Sequence, residues 1–369
     1  MAGLSGAVLF SINLFAQDCS PVDITLENQV QVDQFQTSFG PCDRVAGNLF
    51  LGPEFGQAAF TDVDALSGIS EVGGELHFRN AQFGSITGLS NLAAIGGHLT
   101  CLDAKGIASF DALSSLSSVG AAVVDTGGGS LVFDDCANLQ TIGVGMLSEE
   151  AIAVIIIGDS AITVLDDWPK PTTVITDLVI QSQALLTSVT GLPNVMFSSV
   201  NILFNSQLMS LDMSGLNSSN ENAEISIEQN SKLSSIAFPA LTGLRRIFME
   251  SNGESVSQAL SEPQDTGLNL DSLASLESIT EGLVIALNPG LADCSGLVRL
   301  LDDIDHGEPG PGPPPGYPDI PDVQGQLAIG DNAQGCNSVE EILQACVAVV
   351  LSVQEISDSQ SHTGCPSVI

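Results

Sequence analysis

The chain has 369 residues, of which 44% are hydrophobic and 5% aromatic, so it can bury a large core that contains few rings. Its 44 acidic residues against 8 Lys and Arg give a formal net charge of −36. Nucleic acid and anionic membranes repel a polyanion of this kind, which excludes both as expected partners.

The first 17 residues have the pattern of a targeting segment. They include no charged residue, and an apolar stretch runs from Leu4 to Phe15. That stretch is too short to span a bilayer, so residues 1–17 are predicted to be a cleaved secretory signal. No later segment reaches the ~18 uncharged apolar residues that a membrane helix needs. The sequence therefore predicts a secreted or extracellular surface protein without a transmembrane segment.

Residues 18–46 are predicted to form an N-terminal cap. The sequence from about Asn28 is typical of a short helix, with Val32 and Phe35 turned inward. Cys19 and Cys42 bracket this helix, and a disulfide between them is expected in an exported chain.

Residues 47–301 contain an internal repeat. Between Ile86 and Ile95 apolar residues recur every three positions; a glycine pair follows, and the spacing then falls to two at Leu99 and Cys101. A spacing of two is typical of a strand, and the parts with a spacing of three are interpreted as too irregular for a helix. The first apolar residues of the successive predicted strands are Leu49, Leu76, Leu99, Leu131, Ile155, Leu178, Val200, Ile225, Ile247, Leu283 and Leu327.

The common step between these strand positions is 22 to 25 residues, with longer steps where loops are inserted. Steps of this size are typical of one turn of a β-solenoid or of a leucine-rich-repeat coil. Each coil buries its apolar face only against its neighbours, so the two ends need caps. We therefore predict a mainly β fold, a right-handed β-solenoid of about eleven coils with helical caps.

Two features mark the corners of the predicted coils. The pair Gly96 and Gly97 suits a corner where φ is positive or where two backbones approach closely. In addition, asparagine recurs three residues after the second apolar position of a strand, where its side chain can satisfy buried turn groups of the next coil. This predicts a structural ladder of Asn205, Asn230, Asn252, Asn288 and Asn332, with Cys136 and Gln183 at matching positions.

The C-terminal part departs from the repeat. Residues 302–324 are a Pro/Gly-rich insertion that can hold neither a helix nor a central strand. Residues 325–369 are predicted to form a last strand and a C-terminal helical cap, in which Ser338 and Glu341 form a capping box.

Four cysteines lie toward the C-terminal end, and four cysteines allow three pairings. The favoured pairing is Cys294–Cys336 with Cys346–Cys365. Cys101 and Cys136 lie within the repeat and are interpreted as small core side chains rather than as a disulfide.

Several segments resemble a known family. They are "DITLENQVQVDQF", "GPCDRVAGNLFL", the repeated "L..L..I.G.L.I", and the close "LNPGLADCSGLVRLL…DNAQGCNSVEEILQAC". They look like secreted and surface-bound bacterial proteins with receptor L-domain-type leucine-rich repeats, and the resemblance extends from about Asp18 to Cys346. It implies binding or adhesion rather than catalysis, and it carries no fixed catalytic residue to this chain.

An enzyme is the alternative, because polysaccharide lyases and hydrolases also use β-solenoids. Such a site needs acid and base groups that converge on one face. Cations are scarce here, and carboxylate pairs such as Asp166-Asp167 are expected at solvated turns. His77 and His98 are out of register by two positions, so they are not expected to share a metal, and no zinc or nucleotide motif occurs. The sequence predicts no enzyme activity, no cofactor and no metal site.

The remaining candidates are residues that a binding surface could use. Four of them occupy outward positions on neighbouring predicted strands, and the other two form the only basic cluster. The predicted binding residues are His77, Arg79, His98, Thr100, Arg245 and Arg246. The predicted function is non-enzymatic recognition or adhesion by a monomer, whose sheet face binds a protein or a glycan.

Overall fold

The computed structural model describes residues 17–120, 128–144, 147, 152–168, 174–192, 194–217, 222–238, 241–253, 268–301 and 326–344. Its helices are α1 (Gln29–Asp33), α2 (Phe35–Phe39), α3 (Val298–Leu301) and a helix at 339–344 near the end of the described residues. The strands of the first half are β1 (Ile24–Leu26), β2 (Arg44–Val45), β3 (Leu49–Leu51), β4 (Ala58–Phe60), β5 (Glu71–Val72), β6 (Leu76–Phe83), β7 (Ala94–Ile95), β8 (Leu99–Lys105), β9 (Ser118–Val119), β10 (Gly129–Asp134), β11 (Ile152–Gly158) and β12 (Val164–Leu165). Those of the second half are β13 (Val174–Gln181), β14 (Ser188–Val189), β15 (Val195–Leu203), β16 (Ser210–Asp212), β17 (Leu216–Asn217), β18 (Glu224–Glu228), β19 (Ser235–Ala237), β20 (Gly243–Glu250), β21 (Leu268–Asn269), β22 (Ser278–Ala286), β23 (Leu291–Asp293) and β24 (Gln326–Gly330).

The fold is a β-solenoid built around one long parallel sheet. Its path is β1-β3-β6-β8-β10-β11-β13-β15-β18-β20-β22-β24, with β4 and β17 paired beside it. All eleven strand residues predicted from the repeat lie in this sheet, and each is the direct partner of the next, from Leu49 opposite Leu76 to Leu283 opposite Leu327. The predicted strand register is therefore confirmed, and ten of the eleven residues are buried in one continuous core. Leu327, on the last strand, is instead 37% exposed.

The number of turns differs from the predicted eleven. A second face has two four-stranded sheets, β2-β5-β7-β9 and β12-β14-β16-β19, so about eight turns have strands on both faces. Residues 136–144 cross the second face without forming a strand, which separates the two sheets. After β19 a long inserted step precedes the separate pair β21 and β23. Strand pairing on the second face is therefore interrupted, while the long sheet continues without a break.

The parts of the repeat with a spacing of three are in several turns short 3₁₀ helices, which the sequence analysis did not predict. They span Asp64–Leu66, Thr87–Leu89, Asp271–Ser275 and Ser295–Leu297. A 3₁₀ helix has three residues per turn, so side chains three apart point the same way. Leu66 and Leu89 are accordingly fully buried.

A ladder of buried asparagines joins the turns at one corner, as predicted. Asn230 accepts hydrogen bonds at Oδ1 from the backbone N–H and the Nδ2 of Asn205, both at 3.1 Å. It donates in turn from its own N–H and Nδ2 to Oδ1 of Asn252, at 3.2 and 3.0 Å. The same pattern continues through Asn288 to Asn332. Gln183 joins the ladder by donating its backbone N–H to Oδ1 of Asn205.

The residue before each ladder position has a left-handed backbone. Ten residues at this corner have φ between +39° and +59°: Asn80, Asp103, Asp135, Asp159, Ser182, Phe204, Gln229, Ser251, Leu287 and Asp331. Asn80, Asp103 and Asp159 precede Ala81, Ala104 and Ser160, which hold the matching position in the other turns. This conformation is costly for residues other than glycine and is sustained only by surrounding structure. The glycine pairs serve the other predicted purpose, close backbone approach: a Cβ on Gly97 would lie 3.0 Å from the Gly74 carbonyl carbon.

The helix predicted from about Asn28 is present as α1, and α2 follows it. Asn28 caps α1 by accepting the backbone N–H of Gln31, and Val32 and Phe35 are fully buried. Strand β1 also lies in this segment and pairs with β3, so the cap is continuous with the long sheet.

The C-terminal end is described in part. Strand β24 and the short helix α3 are present, and Ser338 caps a helix at 339–344 by accepting the N–H of Glu341. The Glu341 carboxylate accepts N–H groups of Gly335 and Asn337. The insertion 302–324 and the predicted pair Cys346–Cys365 lie outside the described residues, as does the predicted signal apart from Gln17.

Three disulfides occur in the described part of the chain. Cys19–Cys42 and Cys294–Cys336 confirm two predicted pairs. The third, Cys101–Cys136, shows that the interpretation of these residues as free core side chains is wrong. Cys136 occupies the ladder position of the turn next to Cys101, so the disulfide joins neighbouring turns where other turns use asparagine. Among the described residues, no helix has the length and apolar character needed to cross a bilayer.

We expect Asn230→Ala to lower the free energy of unfolding by about 3 kcal/mol, because it leaves buried groups of Asn205 and Ile202 without a hydrogen bond. Urea unfolding followed by circular dichroism measures the change. The control is Asn91→Ala, which removes one exposed bond to the Ser67 carbonyl and should cost well under about 1 kcal/mol. Equal losses in the two variants would contradict a stabilising ladder.

Candidate recognition surface

One outward residue from each strand of the long sheet forms a continuous row, which we call the stripe. Each member follows by one position the strand residue in the inward register, and it lies on the outer side of the sheet, where Thr100 and Val284 are nevertheless buried. Each is also the direct cross-strand partner of the next. At ~4.8 Å per strand the row is about 50 Å long. The stripe consists of Thr25, Phe50, His77, Thr100, Val132, Ile156, Val179, Asn201, Ser226, Phe248, Val284 and Ala328.

The N-terminal part of the stripe contains a packed polar and aromatic group. The His77 ring lies 5.8 Å from the Phe50 ring, and the Arg79 guanidinium lies 4.5 Å from the centre of the Phe50 ring. Glu75 accepts a hydrogen bond from the Thr100 hydroxyl at 2.6 Å and lies 3.4 Å from Nδ1 of His77. The arrangement holds an arginine against an aromatic face, a contact with cation–π character.

His77 is neutral at pH 7. Burial lowers the pKa of His77 below its ordinary value, and Arg79 lowers it further, whereas Glu75 acts in the opposite direction. His98 lies beside Leu99, the partner of Leu76, so it is two positions out of register with His77, as predicted. No group of three or more His, Cys, Asp or Glu side chains that could hold a metal ion occurs among the described residues.

The centre of the stripe is aliphatic. Val132, Ile156 and Val179 lie on adjacent strands β10, β11 and β13 and are direct partners of one another. All three are partly exposed, although their neighbours in the chain on the inner face are fully buried. β-Branched side chains on neighbouring strands stack well across a pleated surface. The centre is thus a partly exposed apolar patch on a regular sheet.

The predicted basic cluster is neutralised by carboxylates. Arg245 forms ion pairs with Glu224 and with Glu281, the latter at 3.5 Å. Arg246 lies 3.5 Å from the same Glu281 carboxylate. These two arginines are also seven strands from β6 along the sheet, about 34 Å at ~4.8 Å per strand. They therefore do not join His77, Arg79, His98 and Thr100 in one site.

The rows on both sides of the stripe carry charge, whereas the stripe carries none. Two positions before the stripe residue of their strands lie Glu75, Asp177 and Glu224; two positions after it lie Asp134, Glu228 and Glu250. The stripe itself contains no Asp, Glu, Lys or Arg, in a chain with 44 acidic residues. Its only titratable member is the neutral His77.

Asp134 lies in a crowded acidic environment. Burial raises its pKa above the ordinary value, and repulsion from Asp159 and Asp135 raises it further. Asp134 forms no ion pair with any described residue. The repulsion that Asp135 and Asp159 exert on Asp134 is therefore not offset by an ion pair with a described cation.

Sequence reasoning found part of this surface. Four of the predicted residues lie close together in the structure. His77 and Arg79 are on β6, His98 immediately precedes β8, and Thr100 is on β8. Phe50, Glu75 and the aliphatic centre were not predicted from the sequence. The centre had a signal in the chain, the uninterrupted apolar run Val154–Ile157, since a strand with one solvated face normally alternates.

Comparisons of the chain with protein-family models, with curated proteins and with solved structures find no match.

We expect Asp134→Asn to raise the melting temperature at pH 7. The raised pKa means that the folded state binds a proton more tightly than the unfolded state, so ionised Asp134 destabilises the fold above that pKa. The advantage of the variant should shrink as the pH falls and wild-type Asp134 becomes protonated. Differential scanning calorimetry between pH 7 and about pH 3 measures both effects.

The control is Asp64→Asn, a change at an exposed carboxylate outside this group, for which we expect little change in melting temperature at pH 7. An Asp134→Asn protein that melts below wild type at pH 7 would contradict the repulsion argument.

Proposed function

We propose that the chain is an exported, non-enzymatic recognition or adhesion protein that presents the stripe to a protein or glycan partner. The main support for this proposal is that the uncharged stripe lies between two rows that contain charged side chains. Protein recognition surfaces have the same arrangement, a centre depleted of charge inside a polar rim. Exposed apolar patches on a soluble face also mark binding sites.

Two further observations support an extracellular role. The three disulfides indicate an oxidising compartment outside the cytoplasm. The predicted signal and the resemblance to receptor L-domain-type repeats agree with export and with binding. Crossovers between parallel strands are right-handed in nearly all sheets, which supports a right-handed winding of the solenoid.

The alternative is a polysaccharide lyase or hydrolase on the same scaffold. That reaction needs an acid and a base that converge on one bond. The arginine pair that could assist such chemistry is held by Glu224 and Glu281, which favours a structural role for it. A recognition surface instead distributes its binding energy over several contacts, with the largest contributions near the centre.

We expect Val179→Asp to weaken partner binding at least about tenfold, because a charge in the centre of a contact must be desolvated. The full chain is first screened against arrays of extracellular proteins and glycans, and each positive partner is then measured by surface plasmon resonance. Val164→Asp is the matched control: it makes the same change at an exposed strand valine on the second face and should leave binding unchanged.

Two results would overturn the proposal. One is a partner whose affinity falls with Val164→Asp and not with Val179→Asp. The other is cleavage of a polysaccharide by the wild-type chain in a reducing-end assay, lost on Arg245→Ala with Arg246→Ala while the fold is retained, which would establish the enzyme alternative.

A further inference from the structure

The aliphatic centre of the stripe has a distinct chemical surrounding. Val132, Ile156 and Val179 form a partly exposed row across three strands, with Val154 beside it on β11. An apolar row of this kind gains most from contact with other apolar side chains, since both surfaces lose water together. A hydroxyl-rich ligand would bury little apolar surface against this row and would gain less free energy from the contact.

Carboxylates lie on both sides of this centre. Asp177 is on one side, two residues before Val179, and Asp134 is on the other, two residues after Val132. Asp135 and Asp159 follow at the corner and repel Asp134. None of these four carboxylates forms an ion pair with a described residue, so each could accept a cation from a partner.

Other occupants fit this arrangement less well. A second copy packed face to face would place the same carboxylates against each other, and each copy has a formal charge of −36. An anionic glycan meets the same repulsion. A neutral glycan lacks both the apolar side chains for the centre and the cations for its sides.

We propose that the centre of the stripe docks a cationic polypeptide, with apolar side chains against Val132, Ile156 and Val179 and Lys or Arg side chains beside Asp134 and Asp177. This inference rests on the proposed function and narrows its partner class. The apolar contacts supply the burial, and the flanking charge pairs set orientation and association rate.

The probes are three synthetic peptides of twelve residues, measured by isothermal titration calorimetry with the full chain at about 0.15 M NaCl. One alternates Lys and Val, one alternates Lys and Ser, and one alternates Glu and Val. We expect the Lys/Val peptide to bind, the Lys/Ser peptide to bind at least about tenfold more weakly, and the Glu/Val peptide not to bind. Equal binding of the Lys/Val and Lys/Ser peptides would falsify the proposal, because it would show attraction between opposite net charges without docking.

A variant separates docking from general attraction. Ile156→Asp adds a negative charge, so general attraction predicts equal or tighter binding of the Lys/Val peptide, whereas docking predicts a loss of at least about tenfold. Val164→Asp adds the same charge on the second face and should bind like wild type. If calorimetry shows that Ile156→Asp does not fold, Ile156→Thr keeps the branched shape and should lose affinity in the same direction. Unchanged affinity in the folded variant overturns the proposal.

The partner class and the proposed function can fail separately. If a glycan binds in a manner that depends on Val179 while the Lys/Val peptide does not, the stripe is a recognition surface and the cationic polypeptide is wrong. If sedimentation shows a dimer that Val179→Asp dissociates, the occupant is a second copy and this inference is again wrong. If no ligand and no association depends on Val179, both proposals fall.

Discussion

The fold depends on buried polar groups that one turn can satisfy only through the next. Asn230 shows the pattern: its Oδ1 accepts from Asn205 of the preceding turn, and its Nδ2 donates both to Oδ1 of Asn252 in the following turn and to the Ile202 carbonyl. Because an unpaired buried amide costs more than a made bond gains, neighbouring turns are held in one alignment. The same alignment supports the left-handed residue before each ladder position, including bulky ones such as Phe204 and Leu287.

Alignment of the turns also determines the outer face. In a sheet, a slip of one residue moves every side chain to the opposite face, so a fixed register is needed before any outer row can exist. The partners of Leu178 are Ile155 and Val200, and the adjacent outward residues therefore form the sequence Ile156, Val179 and Asn201 across the sheet. The order of side chains along the stripe thus depends on the hydrogen bonds of the asparagine ladder, which fix the alignment of the turns.

Much of the fold could be predicted from the sequence, because inward strand positions require apolar side chains. Apolar residues at a fixed step identified the strands and their register, and Asn205 to Asn332 identified the ladder. Contacts that depend on loops could not be predicted. Glu281 reaches Arg246 across 35 residues of chain. The Cys101–Cys136 disulfide was missed because Cys101 occupies an inward strand position, where a small core side chain is expected. Outward positions accept many side chains, so the aliphatic centre gave no pattern beyond a long apolar run.

The distribution of charge makes a high net charge compatible with the proposed binding. Carboxylates kept in flanking rows maintain solubility by mutual repulsion between molecules, and they need no desolvation at the centre of a contact. A carboxylate within the stripe would have to lose its water in any complex, a cost that exceeds the gain from most pairings. His77 lies between its cross-strand partners Phe50 and Thr100, and burial lowers the pKa of its ring, so it adds no charge to the stripe at pH 7. An acidic molecule can therefore have a long contact surface. Binding there does not require desolvation of a charge at the centre, and the carboxylates at the sides attract a cationic partner.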